Sequence, residues 1–330
     1  MDYDSLHRIT AELHTAGVPV LRLREISQIL NQWTTQTSLD NLLLLVNDHR
    51  NQTESTTFTY VLSTLEQFIA RNQMALIKNG QKQTEIFEAL AKYTGQRGFI
   101  KTKVCKCIAL MVVISMQESP NAIQVCSNFP RPIHLEILQI LFEEIDNNDH
   151  MTRLRPKVHD VILSQPELII PVVTDSLQKL SDFQQDKAEV MMAIKLLGSL
   201  GSIYSLSTDN LGDCFKHVVS FAVKPTEENV EISAQILETI IDFVSGKNKS
   251  CSTVMADYRT NPTSLAVFSS ILESIFQVIA TLTENEALCE NFILKFVLKF
   301  STEVFLAVKL TISSSLFLLM KPLCEHLRNG

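Results

Sequence analysis

Cys105 and Cys107 are the first residues in this sequence whose type and spacing could support chemistry, because two nearby thiols can hold a metal or form a redox pair. They lie in a stretch of helical pattern, where a step of two turns the chain through about 200°. The sulfurs then leave opposite sides of the helix and cannot easily share one ion. His7 and His14 share a helix face seven residues apart, but helical zinc pairs sit at i and i+4. Glu143 and Glu144 adjoin. Neighbours on a helix point apart, whereas a carboxylate pair for acid–base work must converge. Gly198-x-x-Gly201 falls within or at the end of a helical pattern, where glycine permits close packing or a bend more readily than it cradles phosphate. The reading is a protein that is not an enzyme, with no cofactor and no metal.

Composition narrows the alternatives. The chain has 330 residues, 45% of them hydrophobic, so a large core can be buried. Only 9 are glycine, which leaves tight hairpins and phosphate loops poorly supplied. Net charge is −7, and Lys101, Lys103 and Lys106 form the densest basic group. Such a balance disfavours direct nucleic-acid binding and suits basic protein partners. The seven cysteines are irregularly spaced and no secretory segment is evident, so reduced thiols are expected. Residues 304–320 are nearly uncharged but short for a span of about 20 residues. Lys309 sits near their middle. They read as a buried helix, with no membrane span.

The elements that carry these residues are helices throughout. Leu6, Ile9, Leu13 and Ala16 repeat at helical spacing over about 4–16, and Gly17-Val18-Pro19 ends that run. Leu23, Ile26, Ile29, Leu30 and Trp33 mark a second helix over about 20–36. So short a break makes the two pack antiparallel. The pattern repeats: 38–48 with 55–78, 84–93 with 99–116, 120–127 with 131–146, 152–163 with 167–180, 187–204 with 210–223, and 227–244 with 265–283. Phe58, Val61, Leu62, Leu65, Phe68 and Ile69 form the expected buried stripe of 55–78, and 108–114 is apolar all round. Ser207 or Asp209 is placed to cap 210–223. Residues 245–263 read as the longest loop, and the apolar segments 286–300 and 302–327 close the chain. A variable repeat of roughly 30 to 45 residues without strict consensus suits HEAT-type arrays. The expected class is all-α: one α-solenoid of HEAT-like antiparallel pairs over residues 1–330, coiled as a right-handed superhelix, with repeats at about 4–150 and 151–327.

The first four pairs resemble the importin-β-like nuclear transport receptors (karyopherins). Trp33 closes the first pair. Phe99-Ile100-Lys101-Thr102-Lys103-Val104, leading into Cys107-Ile108-Ala109-Leu110, is similar to the aromatic–x–x–x–Lys pattern of that family's third repeat. The run from Pro132 to Glu144, with Leu135-Glu136-Ile137-Leu138 before the paired acids, looks most like the transportin-SR branch, as does 193–200. The Trp expected in the sixth repeat is replaced by Leu200 and Gly201. The likeness runs over about 4–244; family members are much longer, so the chain looks like an amino-terminal piece, a truncated product or a divergent short relative.

The resemblance implies function. Family members hold the small GTPase Ran in its GTP form on their amino-terminal repeats, bind Phe-Gly nucleoporins on outer grooves, and move protein cargo between nucleus and cytoplasm. Carried over, the inner helices are 20–36, 55–78 and 99–116. Their polar faces offer Arg22, Glu25, Gln28 and Gln32, then Gln67 and Arg71, then Lys103 and Lys106. Lys103 alone sits on a motif position, where it is expected to meet an acidic patch on the GTPase. The alternative is a HEAT-type scaffold or adaptor with no transport role, in which these side chains form a solvated face.

Overall fold

Asp2 begins the first helix by accepting a hydrogen bond from the Ser5 backbone N–H on Oδ1, at 2.9 Å. This is α1 (Tyr3–Leu13). Gly17, at φ 86°, turns the chain in a way that an L side chain resists, and Pro19 leads into α2 (Val20–Gln36). The computed structural model describes residues 1–48, 50, 56–147, 153–204, 208, 210–222, 229, 232–233, 235–236 and 238–239. Among these there is no strand. The helices continue as α3 (Leu39–Val46), α4 (Thr56–Arg71), α5 (Gln73–Ile77), α6 (Gly80–Ala91) and α7 (Gly98–Ser115). A 3-10 helix (Pro120–Asn128) precedes α8 (Arg131–Asn147), α9 (Arg155–Leu163) and α10 (Pro166–Leu177). A second 3-10 turn (Gln178–Asp182) leads into α11 (Phe183–Ile203), and α12 is Leu211–Ala222. They fall into two compact units, Met1–Ile162 and Leu163–Gly330.

In the first unit the helix directions follow from the side-chain rungs. Lys82 of α6 bonds Asp40 of α3 across 42 positions, Lys92 reaches Asn47 across 45, and the Tyr93 hydroxyl donates to the Val46 carbonyl across 47. Both members of each rung advance together, so α3 and α6 run parallel. The offsets match a HEAT-type repeat of about 40–47 residues. In the neighbouring layer Lys101 pairs with Glu136 and Lys106 with Glu144, so α7 and α8 also run parallel. Between layers direction reverses: Ser115, ending α7, meets Gln83 near the start of α6. Parallel helices within a layer and antiparallel helices within a pair make this an all-α, HEAT-like solenoid.

α7 is the hub of this unit. It packs between α4 and α8, with α6 and the first 3-10 helix behind it. That is why the apolar run Ile108–Ile114 is buried on every side. Each of these side chains apart from Ala109 contributes roughly 1.5–3 kcal/mol on burial. α1 joins through polar contacts: the Thr57 hydroxyl lies 2.8 Å from that of Thr10 and 2.9 Å from His7 Nδ1. In the second unit α10 packs on α11 and α12, and Gly198 of α11 lies against Thr239.

Several sequence expectations change. The single helix expected over 55–78 breaks at Asn72, whose side-chain amide and backbone N–H both donate to the Phe68 carbonyl. Asn competes for backbone partners in this way, and α5 restarts beyond it. The short helix expected at 120–127 is a 3-10 helix. The start expected at 187 lies inside α11, just after the non-helical Asp186 (φ −124°, ψ 30°). Ile29, grouped with Ile26 and Leu30 in the pattern of α2, is exposed, and Phe68, expected in the buried stripe of 55–78, is half-buried. The caps expected at Ser207 and Asp209, the helices expected over 265–283, 286–300 and 302–327, and the loop 245–263 lie outside the described residues, as does most of 227–244.

Candidate protein-docking face

Lys103 and Lys106 stand on the amino-terminal half of α7, the part of that helix which reaches the surface. Glu66 of α4 rises between the two helices and accepts from both: Lys103 Nζ at 2.5 Å and Lys106 Nζ at 3.0 Å. Lys106 also donates to Glu144 of α8 at 2.9 Å, and Lys101 donates to Glu136 at 2.6 Å. Three lysines and three glutamates thus tie α4, α7 and α8 into one ladder. Its layering is consistent. The lysine side chains are 27% (Lys101), 20% (Lys103) and 32% (Lys106) exposed, against 16% for Glu66 and 12% each for Glu136 and Glu144. In each pair the lysine is the more exposed side chain, by a small margin at Lys103–Glu66, and the ladder sums to zero charge.

The electrostatics follow from this packing. Burial pushes the Glu66 carboxyl upward, but its bonds from Lys103 and Lys106 outweigh that and hold it below the usual 4.5. Burial lowers Lys106, and its bonds to Glu144 and Glu66 more than restore it, so it stays charged above the ordinary lysine value. The exposed ring of Phe99 lies 5.5 Å from Lys103 Nζ. The aromatic–x–x–x–Lys spacing therefore works as an i,i+4 cation–π pair.

The other expected site residues do not join this ladder. Arg22 is bound to Glu12 of α1 at 2.7 Å and to Glu25 at 3.1 Å, so Arg22 and Glu25 fasten α2 to α1. Gln28 and Gln32 are exposed along α2. Arg71 donates to the Gln67 side chain at 3.0 Å and to the Thr34 carbonyl at 3.4 Å, linking α4 to the end of α2. Trp33 is buried there, its ring stacked on Tyr60 at 5.9 Å. Its indole N–H has no hydrogen-bond partner among the described residues.

Glu66, Glu136 and Phe99 were not among the expected contacts, and Glu144 was weighed only as half of an acid pair. A signal for Glu66 exists in the sequence: it is the one acidic residue in α4, a helix whose side chains before it are all hydroxyl or apolar. Nothing local marks its partners, which lie 37 or more positions away.

The four described cysteines are buried. Burial pushes Cys105, Cys126 and Cys214 up to about 12 and Cys107 upward as well, so their thiols stay protonated and unreactive. Among the described residues no group of three or more His, Cys, Asp or Glu is placed to hold a metal, and no helix is long and apolar enough to cross a membrane.

No protein-family model and no curated protein matches this sequence. Among solved structures, the chain is similar to a crystal structure of importin beta in an ammonium sulfate condition. Identity is 11% and the TM-score 0.31, over 97% of this chain and 50% of that one. The chain thus spans half the length of that protein.

Proposed function

We propose that this chain is a protein-docking array of the nuclear transport receptor type, and that the ladder on α4, α7 and α8 takes an acidic surface of the small GTPase Ran in its GTP form. The observation that carries the reading is the lysine row of the ladder: three lysines on one helical face, each side chain more exposed than the carboxylate it pairs with. Phe-Gly nucleoporins would bind apolar grooves elsewhere on the solenoid. Protein cargo would compete with the GTPase through a coupling of about 1–3 kcal/mol. The protein would then work in both nucleus and cytoplasm. The similarity of the third and fourth repeats to the importin-β-like family supports this reading at the level of motif. The test is retention of Ran locked with GTP or with GDP on the immobilised full chain. Retention of the GTP form alone is expected; equal or no retention of the two forms refutes the assignment.

A second reading is favoured by the same ladder. Each lysine already has a carboxylate, so the face is complete without a partner, as in a HEAT-type scaffold whose ion pairs only hold helices together. Passage through a Phe-Gly repeat gel separates the two. A transport receptor partitions into the gel and a scaffold stays out.

A further inference from the structure

Lys106 is the one ladder residue whose ion pairs join three helices. Its ammonium spans Glu66 of α4 and Glu144 of α8 at 3.0 and 2.9 Å, while Lys103 pairs with Glu66 alone and Lys101 with Glu136 alone. α4 and α8 thus flank α7 on opposite sides and share an electrostatic fastening through a single side chain. Both carboxylates are largely covered, so neither is readily re-solvated when the ammonium leaves. Lys106 itself is a third exposed, on a flexible stem that can swing outward.

We propose that Glu66–Lys106–Glu144 is a conformational clasp: what happens to the charge on one flank of α7 is felt at the other flank through Lys106. A carboxylate that captures the ammonium from outside loosens both seams of α7 together, so occupancy of this face sets how firmly successive repeats are held. The clasp rests on the ion-pair geometry alone and stands whether or not Ran is the partner.

The experiment is hydrogen–deuterium exchange on the full chain, read separately in peptides of α4 and α8. Glu66→Gln changes only α4, yet it leaves Lys106 to Glu144 undivided, so exchange in α8 is expected to fall about two- to fivefold. In a Lys106→Met background the same Glu66→Gln change should leave α8 where Lys106→Met alone put it. Lys106→Arg, which keeps the charge and offers two donors, should preserve native protection. Unchanged or increased α8 exchange in Glu66→Gln, or an equal fall with and without Lys106, overturns the clasp. Should Lys106→Met fail to fold, Glu144→Gln read at α4 decides the matter in the native background. A fall there supports the clasp and no fall overturns it. Ran retention is not read in any of these measurements, so failure of the clasp and failure of the receptor assignment remain distinguishable.

Discussion

His134 shows how far burial governs a single residue here. It sits within α8 and is almost wholly covered, and burial, with help from Arg131, lowers its pKa from 6.5 to about 4. The ring is neutral in the fold and charges more easily in the unfolded chain. Between pH 6.5 and about 4 the unfolded state therefore binds more protons, and stability falls as pH falls. The loss expected from this one group is about 1–3 kcal/mol. Urea unfolding at several pH values checks it: His134→Asn should flatten the slope in that window, and an unchanged slope would assign the acid sensitivity elsewhere. Glu66 has the same sign at lower pH, since its depressed pKa gives stability that disappears only as pH drops below the ordinary carboxylate range. The thiols supply a second check. Native protein treated with iodoacetamide at mildly alkaline pH should leave Cys105, Cys107, Cys126 and Cys214 unmodified, with all four labelled after unfolding, as peptide mass spectrometry would show. Rapid labelling of any of the four in the native chain would contradict the burial that raises them.

Helices meet closely enough in the second unit to make one glycine decisive. A Cβ on Gly198 would lie 2.7 Å from Thr239 Cγ2 and 3.5 Å from the Thr239 carbonyl oxygen. Gly198→Ala is therefore expected to cost about 1–3 kcal/mol through overpacking. Thr239→Ser removes the opposing methyl and should restore most of that loss in the double variant, measured by thermal unfolding. A neutral Gly198→Ala would mean that the contact gives way freely. This glycine was legible as a packing residue because a helical pattern surrounds it. The helices themselves were legible for the same reason: stripes such as Val61, Leu62, Leu65 and Ile69 state their period locally. The break at Asn72 was not, because a lone Asn is tolerated in many helices and only its bonds to Phe68 show that the backbone turns there. The functional face was half legible. The spacing of Lys101, Lys103 and Lys106 put a positive cluster on one helix, but sequence spacing cannot say that Glu66 and Glu144 come from other helices to neutralise it. Arg22 and Glu25 looked like surface contacts for the same reason, with Glu12 ten positions away on another helix.

At the scale of the molecule, the question is whether an acidic protein offers the clustered cations of α7 to a partner or uses them only to hold its own helices. Net charge is −7, so long-range steering disfavours acidic partners and leaves the α7 row to act at short range. Reversing Lys103 alone is a poor test. Lys103→Glu would set a carboxylate against Glu66, where the native side chains meet at 2.5 Å, and a damaged fold would look like lost binding. The exchange Glu66→Lys with Lys103→Glu keeps an ion pair between α4 and α7 while reversing which helix carries the cation; Lys106 keeps Glu144 but loses its 3.0 Å bond to Glu66. Folding stability should therefore fall by about 1–3 kcal/mol, because a second ammonium now stands beside Lys106 in a largely covered site. Retention of GTP-loaded Ran should fall several-fold, and more steeply at low salt, where contact charges are least screened. A cooperatively folded double variant with native retention would show that Lys103 is a fastener of α4 to α7 and makes no contact with the partner. A folded double variant with lost retention, set against native retention in Glu66→Gln, would place the Lys103 charge itself at the interface, because both variants lose the Lys106–Glu66 bond and only the exchange reverses the charge at position 103.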